Sequence, residues 1–279
     1  MLNLPNPGNI KALAFDLDGT ILAPGAVLSE RTITAVNKCM KRGLKIIIAT
    51  GRAIEGTEPF RLSLGAVGPM IYYNGAVVSE MPEGRILKEI LLDKKKAELC
   101  VDISRETGIY CQIYQFNEKK IPLLAERDGP EREMYYKHTG ILAELGDLKE
   151  ALGRTEVRGC VKIMFLAEPE LFPALRLRLD ERLGGGIYIT QSQRTFLEVM
   201  DAKVSKGRGL SFVIERLSLK REEAIAFGDE ENDIPMFAAA GFSVAPSNAK
   251  DAVKAKADLI IGSNAEDGVA VFLGEFFAL

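Results

Sequence analysis

A chain of 279 residues with 47% hydrophobic content exceeds the roughly 100 to 150 residues usual for one domain, so two domains with sizeable cores are expected. With 36 basic against 39 acidic residues the net charge is -3, which excludes a strong field for gathering nucleic acid or an anionic membrane and leaves small molecules as the expected partners. Cys39, Cys100, Cys111 and Cys160 are scattered with no Cys-x-x-Cys pair, which excludes a disulfide framework or zinc knuckle, and with His138 the single histidine the available acids and bases are carboxylates.

No basic segment followed by an apolar core opens the chain, and no apolar run approaches the roughly 18 residues of a membrane helix, so a soluble cytoplasmic protein is expected. Residues 11–15 form a short apolar stretch. Over 29–42, Ile33, Val36, Cys39 and Met40 recur at helical spacing, with Ser29 placed to cap the start and Gly43 to stop the helix. The run Lys45-Ile46-Ile47-Ile48-Ala49 is too short for a helix and predicts a strand buried on both faces of a parallel sheet. Residues 69–73 repeat that pattern before Asn74-Gly75, a tight-turn dipeptide.

The texture then changes. A helix is predicted over 93–107, ending at Gly108, and an alternating strand over 109–115. A strand over 161–167, a helix over 170–183 stopped by Gly184-Gly185-Gly186, and an alternating strand over 187–191 complete an open-faced α+β layer. Beyond Glu198 the first pattern resumes, with helices over 205–217, 231–240 and 249–255 and strands over 224–227, 242–245 and 259–261. The expected fold class is α/β, a parallel-sheet, Rossmann-like core built from residues 1–83 and 194–279, interrupted by an inserted α+β domain over 84–193.

Chemistry-bearing residues cluster at the predicted strand ends. Asp16 and Asp18 follow the first strand at i and i+2, a spacing that places both on one face of an extended chain, and Gly19 lets the backbone turn there. Taken alone, this run is equally a turn rich in Asp and Gly. Thr50-Gly51-Arg52 places a hydroxyl, a glycine amide and a guanidinium at the end of a buried strand, where open α/β sheets bind ligands, although a capped strand-to-helix turn has the same composition. Asp229, in Gly228-Asp229-Glu230-Glu231-Asn232-Asp233, ends another such strand and either joins Asp16 around a hard cation or caps the following helix. A calcium loop is excluded because Ile234 and Ala240 stand where its glycine and glutamate belong. Lys206, in Ser205-Lys206-Gly207, is either surface or the ammonium that offsets the carboxylates.

In this order, Asp16-Leu17-Asp18-Gly19-Thr20, Thr50-Gly51-Arg52, Ser205-Lys206-Gly207 and Gly228-Asp229 through Asn232-Asp233 resemble the four motifs of haloacid dehalogenase (HAD) superfamily phosphatases. The long insertion between the second and third motifs resembles the Cof-type branch, with its large α/β cap, and so does Asp267-Gly268-Val269-Ala270 near the end. The resemblance implies a magnesium-dependent phosphatase acting on a small phosphorylated metabolite such as a sugar phosphate, nucleotide or cofactor phosphate. Asp16 would be the nucleophile that becomes an aspartyl-phosphate, and Asp18 the general acid and base. Asp18 is expected to lie buried among the other carboxylates, the setting in which an acid keeps its proton near neutral pH. Mg2+ would be held by the carboxylates of Asp16 and Asp229 and the backbone carbonyl of Asp18, with Asp233 orienting its waters or Lys206. Leu17, Thr50, Gly51, Lys206 and Asn232 would hold phosphoryl oxygens, with Arg52 and Asn74 nearer the substrate.

Lys203 departs from the motif pattern by adding a cation beside the third motif, as a specificity group or a solvated loop lysine. In the insertion and at its edge, Tyr110, Gln112, Tyr114, His138 and Arg194 are either contacts to the leaving group or ordinary core and surface residues. A phosphomutase or other phosphotransferase of the same fold, and a non-catalytic phosphate-binding module, are the alternative functions.

Overall fold

The computed structural model describes residues 4–117 and 120–279, and contacts divide the chain into two compact units. Unit one comprises the residues up to Lys88 and Ser205–Leu279; unit two is Glu89–Val204.

Unit one opens with β1 (Ala12–Phe15), α1 (Glu30–Lys41), β2 (Lys45–Ile48), α2 (Ile54–Leu64), β3 (Gly68–Tyr72), β4 (Val77–Met81) and β5 (Arg85–Glu89). In unit two follow α3 (Lys94–Thr107), β6 (Tyr110–Asn117), β7 (Leu123–Ala125), α4 (Pro130–Thr139), β8 (Glu144–Leu145), α5 (Leu148–Gly153), β9 (Val157–Leu166), α6 (Phe172–Leu183), β10 (Ile187–Gln193) and β11 (Phe196–Asp201). Unit one resumes with α7 (Lys206–Arg216), β12 (Ala224–Phe227), α8 (Ile234–Ala239), β13 (Phe242–Pro246), α9 (Asp251–Lys254), β14 (Leu259–Ile261) and α10 (Gly268–Phe276).

The main sheet of unit one is parallel, in the order β14-β13-β12-β1-β2, so β1 lies between β12 and β2. Every residue of β1 and β12 is buried, as continuous apolar runs in a parallel sheet require. Phe15 is level with Phe227 on one side and Ile48 on the other, and this register brings the residues that follow all three strands to one end of the sheet. Against one face pack Leu210, Val213 and Ile214 of α7 with Met236 and Phe237 of α8. α1 starts as its sequence demands, with the Ser29 hydroxyl accepting the Thr32 amide at 3.0 Å.

β3 adds to the sequence reading. It runs parallel beside the end of β2, through the Ala49–Ile71 bridge and the Thr50 amide to Ile71 O, and it also pairs antiparallel with β4 in a three-stranded sheet β3-β4-β5. The connection that forces the reversal is Tyr73-Asn74-Gly75, all three at positive φ (50°, 59° and 97°). Gly75 is required there, because a Cβ would stand 2.2 Å from the carbonyl oxygen of Ser205.

Unit two is a six-stranded sheet in the order β10-β11-β9-β6-β7-β8, antiparallel except for β7–β8. Ile113, Ile163, Phe165, Leu197 and Val199 point to one face, where they meet Val101, Leu152, Leu175 and Leu179 of α3, α5 and α6. The opposite face is not bare as an open-faced layer implies, since Tyr135 and His138 of α4 place their rings 5.5 Å from that of Phe196. β6, predicted half-buried, is buried from Tyr110 to Phe116, so its alternation marks two different packed faces. β11, assigned to the core from the sequence, hydrogen-bonds between β9 and β10 and belongs to this unit. All four cysteines are buried and free, and no helix among the described residues is long and apolar enough to cross a membrane.

Candidate active site

The chain leaves β1 with Asp16 still in register, its amide donating to Phe227 O at 3.0 Å, so the Asp16 side chain is fixed at the sheet's end with 5% exposure. After it the backbone folds tightly on itself: the Leu17 carbonyl accepts the amides of Thr20, Ile21 and Leu22 at 3.3, 3.1 and 2.9 Å. Gly19 is needed in this turn at φ 82°, where a Cβ would come within 2.2 Å of the Asp229 carboxylate. Next along that turn, the buried Thr20 hydroxyl donates to Asp229 Oδ1 at 2.6 Å.

Lys206, first residue of α7, is 2% exposed and bridges two carboxylates, donating to Asp16 Oδ1 at 2.5 Å and Asp233 Oδ1 at 2.6 Å. Asp233 faces inward because its other oxygen accepts the backbone amides of Asp229 and Glu230, each at 3.0 Å. Asp16, Asp229 and Asp233 thus form a buried triad whose oxygens lie within 4.8 Å of one another. The predicted helix over 231–240 splits locally, Glu231–Asp233 forming a 3-10 turn before α8, and this turn carries Asn232 and Asp233.

One ammonium does not balance three carboxylates in a buried site. Burial pushes the Asp16 carboxyl well above the usual carboxylate range, opposed by Lys206 and reinforced by Asp233, Asp229 and Asp18. Burial likewise raises Asp229 to about 7, against the lowering effect of the Thr20 hydrogen bond. For Lys206, burial favours the neutral amine, but Asp16 and Asp233 more than reverse this and hold the cation. The donor set, hard carboxylate oxygens without histidine or cysteine and with surplus negative charge, suits a divalent cation that prefers oxygen ligands.

Asp18 departs from expectation. The chain has already left the strand, so Asp18 does not share the face of Asp16. Its side chain is 52% exposed and lies in a two-point ion pair with Arg52, Nε to Oδ2 at 2.7 Å and Nη2 to Oδ1 at 2.5 Å. The Asp18 carboxylate therefore stands outside the triad, an ion-paired group rather than a desolvated one. Arg52 is oriented further by the ring of Phe60, 4.9 Å from its guanidinium carbon.

Thr50 follows β2, with 1% exposure, its amide donating to Ile71 O and its hydroxyl accepting the Arg52 amide at 3.1 Å. Asn74 reaches the same place from the β3–β4 turn, donating its amide to Thr50 O at 2.9 Å and accepting Asn232 Nδ2 at 2.9 Å. Gly51 packs against it without room for a side chain, since a Cβ there would stand 2.9 Å from Asn74 Oδ1. Asn232 Oδ1 is buried with no hydrogen-bond partner among the described residues, an acceptor aimed at no protein donor. Leu17, Thr50, Gly51, Asn74, Lys206, Asn232 and the triad all belong to unit one. Lys203 is exposed and lies in unit two. Tyr110, Gln112 and Tyr114 are buried there, while His138 and Arg194 are exposed.

Sequence reasoning missed Thr20 as the hydroxyl that holds Asp229, and Asn248 and Asn264, which fasten the turn carrying Asp18. Thr20 stood inside a motif and was legible. The asparagines follow strands in no predicted motif, and only the tertiary fold brings them to Gly19 and Leu22.

An acidic triad with a buried lysine at the carboxyl ends of a parallel sheet defines a class of α/β hydrolase, and comparison with known proteins gives the family. Residues 13–273 match the family of haloacid dehalogenase-like hydrolases. The chain is 29% identical over 272 residues to the 5-amino-6-(5-phospho-D-ribitylamino)uracil phosphatase of Bacillus subtilis (strain 168), covering 96% of this chain and 97% of the relative. It is 28% identical over 276 residues to the pyridoxal phosphate phosphatase of Escherichia coli (strain K12), covering 94% and 97%. A crystal structure from Thermotoga maritima superimposes with a TM-score of 0.85 at 29% identity, covering 95% of this chain and 97% of that one. The chain belongs to the haloacid dehalogenase-like hydrolase family and is a hydrolase of phosphoric monoesters.

Proposed function

We propose that this protein is a magnesium-dependent phosphatase of small phosphorylated metabolites that works through a phosphoenzyme on Asp16, with unit one as its catalytic domain. The observation that carries this reading is the buried bridge from Lys206 to Asp16 and Asp233, with Asp229 completing the triad. The names of relatives that act on phosphorylated cofactor-type molecules support the substrate class.

Lys206 holds Asp16 by one oxygen, so the other is left to attack phosphorus. The P–O bond to the leaving alcohol breaks as the Asp16 Oδ–P bond forms, and the departing oxygen takes a proton from Asp18. Asp18 then removes a proton from the water that attacks the aspartyl-phosphate, releasing inorganic phosphate and restoring Asp16. In the resting protein Asp18 is committed to Arg52. An incoming phosphate ester gives that guanidinium a competing anion, and its transfer to the substrate releases Asp18, which takes up a proton from solvent before it meets the leaving group. Phosphoryl oxygens are held by Lys206, Thr50, Asn232 and the backbone amides at Leu17 and Gly51, with Asn74 fixing Asn232 and Arg52 nearer the substrate.

Asp16 and Asp229, with the Asp18 carbonyl, would hold Mg2+, which when bound neutralises phosphoryl charge. Asp233 keeps Lys206 in place. The test is inorganic phosphate release over a panel of sugar phosphates, nucleotides and cofactor phosphates with Mg2+. Steady multiple-turnover release is expected, with Asp16→Asn lowering it by about a thousandfold or more. Full activity in that variant would overturn the nucleophile assignment, and a panel in which phosphate is only moved between hydroxyls would make the protein a mutase.

A further inference from the structure

The turn that carries Asp18 is fastened from outside by two asparagines that follow separate strands. Asn248, two residues beyond β13, donates its side-chain amide to Gly19 O at 2.8 Å. Its Oδ1 accepts the backbone amide of Asn264 at 2.9 Å and the Ser263 hydroxyl at 3.5 Å. Asn264, beyond β14, donates its own side-chain amide to Leu22 O at 2.7 Å. The carbonyls near both ends of the turn are thereby held by one continuous relay. On the inner side the same turn is tied by the Leu17 carbonyl and by Thr20 to Asp229.

We propose that Asn248, supported by Asn264, is a positioning residue for the acid and base Asp18. A peptide plane has one rotational setting in which its carbonyl points one way and the next amide the opposite way. Asn248 fixes the Gly19 carbonyl outward, and the Thr20 amide accordingly points inward to Leu17 O. Gly19, at φ 82°, is the residue in the turn with most freedom to rotate, so this is where an external bond constrains most. The peptide so fixed links Gly19, the residue next to Asp18, to Thr20, the partner of Asp229. Among the described residues the Asn248 side chain has no hydrogen bond to the triad or to Asp18; it acts through the Gly19 peptide. Asn248 is itself exposed, as is the Asp18 carboxylate whose turn it holds.

This inference rests on the assignment of Asp18 as general acid, so the experiment separates the two. Asn248→Ala and Asn248→Asp are compared with wild type and Asp18→Asn, using 4-nitrophenyl phosphate, whose leaving group needs little protonation, and an alkyl phosphate, whose leaving group needs a full proton. The ratio kcat/KM reports steps up to phosphoryl transfer to Asp16. The expected result is a fall of about tenfold to a hundredfold for the alkyl ester in both Asn248 variants, the size of a misplaced catalytic group. For the nitrophenyl ester the expected fall is under about threefold, and Asp18→Asn should show the same contrast more strongly. Asn248→Asp keeps the acceptor for Asn264 while facing an oxygen to Gly19 O, so it carries the comparison should the alanine variant unfold. Equal losses for both esters, or none, in the Asn248 variants while Asp18→Asn discriminates would overturn the proposal alone. If Asp18→Asn also fails to discriminate, the acid assignment and the proposal both fall.

Discussion

At the scale of single residues, the site is a problem of surplus negative charge that Lys206 offsets only in part. An isolated lysine opening a helix is usually surface, and an isolated Asp-x-Asp-Gly is usually a turn; their meaning came from occurring in order with Thr50 and Asp229. That much was legible, because motif order survives in the sequence. The orientation of Asp18 was not, because its partner Arg52 comes from a different strand end and the choice between burial and ion pairing is made in three dimensions. The charge imbalance has a consequence for stability. Asp229 is held at about 7 in the folded chain against about 3.8 unfolded, so the folded state binds a proton the unfolded state has lost. Between those values stability falls as pH rises, and the benefit of the protonated form is gone above the folded value. Asp229→Asn removes this dependence. In EDTA, the melting-temperature gain from Asp229→Asn over wild type should be larger at pH 8 than at pH 4, and Mg2+ at pH 8 should stabilise wild type but not the variant. A gain independent of pH would contradict the charge assignment.

At the scale of elements, four-residue strands proved readable where every side chain is apolar, as in β1 and β12. The antiparallel pairing of β3 with β4 was not readable because a buried apolar run looks the same in either direction. The deciding information lay in Tyr73 and Asn74 taking left-handed conformations against the start of α7, which no local propensity indicates. In unit two the alternation of β6 hid polar residues that are also buried. Tyr114 and Lys162 are register partners on the face away from α3, α5 and α6, and Lys162 forms an ion pair with Glu198 at 2.9 Å, both nearly inaccessible. Ser192 donates to the same carboxylate at 2.8 Å, and Tyr114 bonds Tyr135 of α4 through their hydroxyls at 2.7 Å. Removing one member leaves a buried charge unpaired. Lys162→Met should cost about 3 to 5 kcal/mol in urea unfolding, while Lys162→Met with Glu198→Leu should recover most of that loss. A double variant as unstable as the single one would show that packing, not charge, sets the cost.

At the scale of the whole molecule, the insertion was visible as a change of texture, but its far boundary was not. β11 is an apolar strand followed closely by the Lys206 motif, and only its hydrogen bonds to β9 and β10 assign it to unit two. The candidate site residues, by contrast, come from five segments far apart in sequence that the parallel order β12-β1-β2, with the β3–β4 turn and the start of α7 beside it, brings to one sheet end. The chemistry proposed for that convergence is transfer of phosphate to Asp16, and it is observable directly. A single turnover with a phosphate-labelled substrate and Mg2+, quenched in acid, should yield labelled protein whose label maps to the peptide containing Asp16, with none in Asp16→Asn. Label on any other residue, or full turnover through a burst in which no protein-bound phosphate accumulates even when Asp18→Asn blocks its hydrolysis, would contradict the phosphoenzyme.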